Sequence, residues 1–217
     1  MNTILPVISS ILLVMLLGYG LSKRLLTEPS FWQGISKLAY WVLFPVLIIR
    51  TLAYATIKTE LLLPLLVIFA VSLLLILAYC VWASRLMGQD GPSTSSIAQG
   101  GIRHNGFIGL AVLFDMFGLP GQEIGALIIA VLVPPTNVLS VLSVGVLVRK
   151  KQQQSLSALI FKELLRNPML ISVAIGLLLN ALAISIPNIL DQSMALMGRA
   201  ALPMLLFSIG ASLNIRA

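Results

Sequence analysis

Apolar residues run along the chain in seven long stretches, at about 4–21, 38–54, 61–86, 95–117, 123–148, 167–186 and 195–213. Most are near the ~20 residues an α-helix needs to cross the hydrocarbon of a bilayer. They are continuous and do not alternate at period two, which excludes a β-barrel. The pattern predicts an all-α integral membrane protein with seven transmembrane helices. The breaks are short. Residues 27–30 (TEPS) read as a turn with a helix start, 89–96 (QDGPSTSS) as a loop running into N-cap residues, and 118–122 (GLPGQ) as a tight turn. Residues 149–157 (RKKQQQSLS) form the one polar linker. The expected organisation is a five-span unit over 1–148, a linker over 149–166 and a two-span unit over 167–217.

The fourth stretch differs from the others. Residues 95–117, SSIAQGGIRHNGFIGLAVLFDMF, carry Gln99, Arg103, His104, Asn105 and Asp115, with glycines at 100, 101, 106 and 109. Polar and ionisable groups within a span are costly and face a bundle interior or a water-filled cavity. Glycines at that depth favour an interrupted helix, and irregular backbone is tolerated there only where protein or a cavity covers it. The expected element is a broken helix interrupted near Gly106–Gly109. Freed amides and the Asn105 side chain would contact substrate there, with Arg103 attracting an anion. The other reading is structural: glycines for close packing, and Asn105 as interhelical glue.

Composition agrees with a membrane protein. Hydrophobic residues make up 59% of the chain and charged residues 10%, and the mean hydropathy is +1.03. No soluble domain tolerates a surface that apolar. The net charge of +7 does not point to nucleic acid, because the basic residues lie in short loops without interleaved aromatics. One set of loops holds Lys23, Arg24, Lys37, Arg85, Arg149, Lys150, Lys151, Lys162, Arg166 and Arg216. The opposite set holds Lys58, with Arg50 and Arg199 close to span ends. The positive-inside rule puts the first set in the cytoplasm, the N-terminus outside and the C-terminus inside. Basic residues follow the first apolar stretch rather than precede it, so it reads as a span and not a cleaved signal. The single Cys80 forms no internal disulfide and sits in no metal-ligand pattern.

A shift of 158 positions aligns Gly18 with Gly176, Pro29 with Pro187, Leu38 with Leu196, Pro45 with Pro203, Leu47 with Leu205 and Ala53 with Ala211. Five spans separate the two starts. Five is odd, so the copies cross in opposite directions. This is an inverted-topology repeat, whose sites form at the repeat interface from discontinuous helices. The expected arrangement is a first repeat of five helices and a second of which two helices are present. The design calls for three further spans, on the order of 90–100 residues.

Other polar positions have two readings each. His104, the single histidine, is a proton relay or a hydrogen-bonded structural residue. Asp115, near the outer end of its span, carries a proton or cation, or acts as an interfacial cap or ion-pair partner. Pro134 and Pro135 distort the fifth span. Asn137 and Ser140 beyond them point at a site or satisfy the freed backbone groups. Pro45 and Pro203 kink matched spans, and Gly121 and Gly125 fit a close-packing spacing. No paired carboxylates, metal cluster or phosphate loop appears, so neither an enzyme nor a cofactor is expected. The absence of lysine from 195–213 and the repeat argue against a receptor or a retinal protein.

The segments LFPVLIIRTLA, HNGFIGLAVLFDMFG, VLVPPTNVLSV, LRNPMLISVAIGL and ALPMLLFSIGASL resemble, in their order, the auxin efflux carrier family of membrane transporters, in its bacterial branch of malonate and malate permease-like proteins. The resemblance covers essentially the whole chain. It implies a fold of about ten spans in two inverted five-span repeats, with crossed broken helices. It also implies secondary transport of small organic anions, either carboxylates such as malonate and malate or auxin-like acids. Carried over, its fourth-span motif falls on Asn105, Gly106, Gly109 and Leu110, and its fifth-span motif on Asn137. Where members of the family often have proline after the Gly-Leu pair, this chain has Ala111. The expected substrate site is therefore Arg103, Asn105, Gly106, Gly109 and Asn137, with His104 and Asp115 for proton or sodium coupling. The expected setting is a bacterial-type inner membrane, and the expected partners are lipid, the anion and a second copy in a homodimer. The alternatives are a truncated, non-functional transporter and a channel or receptor-like bundle.

Overall fold

The computed structural model describes residues 4–56, 59–148, 161–162 and 164–213. The polar linker expected at 149–157 lies outside the described residues, as do Lys58 and Arg216. The described residues contain helices and no strand. Seven helices follow in order: α1 Ile4–Arg24, α2 Pro29–Tyr54, α3 Thr59–Leu86, α4 Gly91–Ile102, α5 Gly106–Leu147, α6 Pro168–Ala181 and α7 Asn188–Ser212. Among the described residues, four stretches are long and apolar enough to cross a membrane: Pro29–Tyr54, Leu63–Leu86, Gly91–Leu147 and Asn188–Ser212.

Several expected boundaries move, each for a local reason. α2 starts at Pro29 and not near 38. Its first turns carry Ser30, Gln33, Ser36 and Lys37, so hydropathy misses them. Yet proline suits the first helical position, and Trp32 buries its ring and donates to the Leu26 carbonyl at 2.6 Å. The expected kink at Pro45 takes the form of a π turn over Ala39–Leu43, where the Phe44 amide donates to the Ala39 carbonyl. Proline lacks the amide that would bond to residue 41, and the widened turn absorbs the mismatch. The expected loop at 89–96 is mostly helix. Asp90 caps α4 by accepting from the Ser93 amide at 2.9 Å, with Pro92 in its first turn. The Ser93 hydroxyl, then its amide, holds the Asp90 carboxyl below its usual 3.8. A lowered carboxylate pKa stabilises above the ordinary value, and the contribution is lost as pH falls through the folded-state value.

The chain forms two compact units. Met1–Thr56, Gly106–Leu127 and Ile171–Ala217 make the first. Ile57–Asn105 and Ile128–Leu170 make the second. In the first unit α7 packs against α1 and α2. Phe44, Ile48 and Leu52 of α2 are fully buried, and the Phe44 and Phe107 rings meet edge to face at 4.2 Å. Ile11, Ala111 and Leu206 close a cluster shared by α1, the 106–117 arm of α5 and α7. Arg50 pairs with Asp191 at 2.8 Å and 3.1 Å, tying α2 to α7. Asn180 of α6 donates to the Ala53 and Ala55 carbonyls at 3.0 Å and 2.9 Å, satisfying the end of α2.

Glycine sets the helix spacing in this unit. Gly18 of α1 lies against the Phe207 backbone, and Gly210 of α7 lies against the Met15 carbonyl. Lipid supplies no hydrophobic drive between helices, so close backbone approach at small residues carries the packing. Residue 118 bends α5. Gly118 has φ 64° and ψ −143°, a region essentially restricted to glycine. The tight turn expected over 118–122 reduces to this one residue. The arms on either side fold back on each other where Gly121 meets the Leu113 carbonyl and Gly125 meets Leu110.

In the second unit α3 packs along α4, and Gly91 lies against the Leu147 carbonyl. Pro134 and Pro135 sit within helical backbone, since Gly118 is the residue of α5 with non-helical dihedrals.

Gly210→Ala should therefore destabilise the fold in detergent by about 1–3 kcal/mol, the range for overpacking a filled interface. Gly20→Ala, with nothing within 4 Å of the added carbon, should be neutral or stabilising by up to about 1 kcal/mol. Thermal unfolding of the two variants side by side checks this; equal effects would mean that the α1–α7 approach is not limiting.

Candidate functional site

The interruption of the polar span falls at Arg103–Asn105, three residues upstream of the expected Gly106–Gly109. α4 ends when the Arg103 amide donates to the Gln99 carbonyl at 3.0 Å, and Arg103 turns extended at φ −78°, ψ 122°. Gly100 and Gly101 weaken the last turn, and α5 begins at Gly106. Gly106 thus starts a helix, and Gly109 lies inside one. The glycines at 100 and 101 weaken the end of α4, and Asn105 has local polar alternatives to the helix, so the break precedes Gly106. All three interrupting residues are open at the surface. The first amides of α5, starting at Gly106, have no carbonyl partner within their own helix and carry partial positive charge.

The position of α4 is fixed from the side. A methyl group at Gly101 would lie 2.6 Å from Cys80 Sγ of α3 and 3.3 Å from the Ile76 side chain. Thr94, Ser95, Ala98 and Ile102 are buried, and Gln99 donates to the Ser95 hydroxyl at 3.4 Å.

Asn137 lies in the same compact unit as Arg103, His104 and Asn105. Among the described residues, its Nδ2 is buried without a hydrogen-bond partner, as are the hydroxyls of Ser140 and Ser84. An amide nitrogen with no acceptor is not satisfying the carbonyls freed by Pro134 and Pro135. Of the two readings of Asn137, the backbone-satisfying one is therefore not realised. The Thr136 hydroxyl bonds back to Leu132 instead, at 2.8 Å.

Asp115 belongs to the first unit, where, among the described residues, it joins no ion pair within 4.0 Å. It accepts from Ser10 of α1 at 3.4 Å. It also lines a cavity of about 590 Å³ inside that unit, within the usual size range of ligand pockets. The walls are mostly apolar, from Ile11, Val14, Leu47, Phe114, Leu202 and Leu206. The polar lining is Ser10, Arg50, Asp115, Gln122 and Arg199. Gln122 donates to the Thr51 hydroxyl at 2.7 Å, and Arg50 is held by Asp191.

The sequence reading missed this cavity because it placed Arg199 close to a span end. α7 begins at Asn188, which puts Arg199 near the middle of a 25-residue helix. A polar opening turn, with Asp191 and Gln192, hides that start from hydropathy. The readable signal was the repeat offset itself, which maps Pro29 onto Pro187.

The sequence profile of the membrane transport protein family matches residues 3–217. No curated protein matched the sequence.

Gly101→Ala should shift α4 beside the interruption and lower stability by about 1–3 kcal/mol. Adding Cys80→Ala removes the opposing sulfur and should recover most of the loss. Thermal unfolding of the single and double variants reads this, and failure of the second substitution to rescue would show that the Cys80 contact does not position α4.

Proposed function

Because the chain belongs to the membrane transport protein family, a family of transporters and not of enzymes, we propose that it is a secondary transporter of small organic anions working by alternating access. The observation that carries the reading is the interruption at Arg103–Asn105 within a 57-residue stretch apolar enough to cross a membrane. It leaves a cation, an amide side chain and a helix N-terminus together at one point of the chain, a combination suited to a carboxylate. Arg103 attracts the anion, and Asn105 and the amides from Gly106 onward bind it. Asn137 supplies a buried donor from the same unit as Asn105, and its lack of a protein acceptor supports that role. His104 and Asp115 are the proposed coupling groups for a proton or sodium ion.

The inverted repeat is part of the proposal. It is supported by helix limits: moving α2, Pro29–Tyr54, by 158 positions gives 187–212, against Asn188–Ser212 for α7. It is also supported by reciprocal packing. Gly18 lies on Phe207, while a methyl group at its counterpart Gly176 would lie 3.1 Å from the carbonyl of Ile49, the counterpart of Phe207. The two compact units are the proposed moving bodies, in a bacterial-type inner membrane with the N-terminus outside and, for the assembly, a homodimer.

The test is uptake into proteoliposomes carrying the purified chain. Malonate, malate and an aromatic monocarboxylate are offered at graded concentrations. Saturable uptake with counterflow is expected, and Asn105→Ala should reduce it at least tenfold, the loss of one charge-assisted hydrogen bond. Linear, non-saturating flux would indicate a channel, and unchanged uptake in Asn105→Ala would remove the site assignment.

A further inference from the structure

We infer that the cavity of the first unit is a binding site for a zwitterion of the amino-acid class with an apolar side chain, its carboxylate held by Arg199 and its ammonium by Asp115. The inference stands apart from the organic-anion reading, which rests on the interruption in the second unit.

Two opposite charges reach this space from different helices. Arg199 lies at residue 12 of the 25 in α7, so roughly 16–20 Å of helix separates it from either end. α7 is long and apolar enough to cross a membrane, and a guanidinium at that depth faces a cavity or a partner. Asp115 comes from the 106–117 arm of α5. Both line the 590 Å³ cavity. They do not pair with each other: among the described residues the ion pair within 4.0 Å is Arg50–Asp191. The backbones behind the two charges are held by packing. Gly198, next to Arg199, lies against Leu47 of α2, where a methyl group would sit 3.1 Å from Cδ1. Ala111, one turn before Asp115, is buried with Ile11 and Leu206. The gap between the charges is thus kept open for a ligand.

The charge count decides which ligand fits. Arg50, Asp115 and Arg199 line the cavity, and Asp191 neutralises Arg50. With Asp191 included, these charges sum to zero. An anion that pairs with Arg199 leaves Asp115 uncompensated and is repelled by it. An amine cation that pairs with Asp115 leaves Arg199 in the same position. A zwitterion gives each charge a partner and adds no net charge to a low-dielectric space. Gln122 is committed to the Thr51 hydroxyl, so discrimination by charge falls to Arg199 and Asp115. The walls from Ile11, Val14, Phe114 and Leu202 suit a hydrocarbon or aromatic side chain.

The experiment uses the purified chain in nanodiscs at neutral pH in sodium-free buffer, with protein-free nanodiscs subtracted and L-phenylalanine as the probe. Saturable binding is expected. 3-Phenylpropionate, which lacks the ammonium, and 2-phenylethylamine, which lacks the carboxylate, should each bind about tenfold or more weakly, as for loss of a charge-assisted bond. The variants should exchange these preferences: Asp115→Asn should favour 3-phenylpropionate over L-phenylalanine, and Arg199→Gln should favour 2-phenylethylamine. If either variant does not fold, the three ligands compared on the wild-type protein decide. Three results would each overturn the inference: 3-phenylpropionate binding as tightly as L-phenylalanine, L-phenylalanine affinity unchanged in both variants, or sodium raising 3-phenylpropionate to the affinity of L-phenylalanine. The last would mean that a sodium ion and not an ammonium fills the place at Asp115. Uptake separates this site from the transporter reading. Anion transport that depends on Asn105, in a protein that does not bind L-phenylalanine, removes the zwitterion site and keeps the transporter. L-Phenylalanine binding that depends on Arg199 and Asp115, in a protein that moves no anion, removes the anion transporter and keeps the site.

Discussion

A backbone group within hydrocarbon must find a partner in the protein, and that constraint decides where this chain can bend. Three departures from regular helix are covered or are made by a residue that suits them. Ahead of Pro45 the Phe44 amide reaches back to Ala39, so the proline leaves a π turn and not an open gap. At the end of α2 the Asn180 amide takes the Ala53 and Ala55 carbonyls. At Gly118 one glycine turns α5 back on itself, and Gly121 and Gly125 let the arms close. The interruption at Arg103–Asn105 is different. Its side chains are polar and exposed. A break of that kind within an apolar stretch has a clear physical rationale if it lines a path for a polar solute.

The same constraint explains which parts of the fold were legible in the sequence. Continuous apolar runs announce helices that face lipid, so α1, α3 and most of α5 could be read from hydropathy. The starts of α2 and α7 could not. Ser30, Gln33, Ser36 and Lys37 open one helix and Asp191 and Gln192 open the other, and polar residues look like loop unless their caps and contacts are known. Both were foreshadowed by Pro29 and Pro187, which suit the start of a helix and reappear at the 158-residue offset. The position of the interruption was displaced because glycine is an ambiguous sign. At 106 it begins a helix, and at 109 it lies within one. Single-residue conformations such as Gly118 are decided by tertiary crossing, which a local pattern does not encode.

The site was legible in its chemistry more than in its geometry. Arg103, His104 and Asn105 stood out because polar groups are rare in spans, and they do occupy the break. Asn137 stood out for the same reason, and its unpartnered amide distinguishes it from a backbone-satisfying residue. The cavity in the first unit could not be read in this way. Ser10, Asp115, Gln122 and Arg199 lie on different elements of the sequence, and each is unremarkable alone. Their significance comes from α1, α5 and α7 meeting, which the glycine contacts at 18 and 210 set.

Charge in the first unit then separates into two functions. Arg50 and Asp191 close on each other across α2 and α7, and the pair ties the helices with no net charge left for a ligand. Arg199 and Asp115 line one space but remain beyond ion-pair distance. Among the described residues neither has an oppositely charged partner within 4.0 Å, and a charge in a low-dielectric space is costly while it lacks one. A mutually satisfied pair would have locked the helices in the manner of Arg50 and Asp191 and left the cavity electrostatically inert.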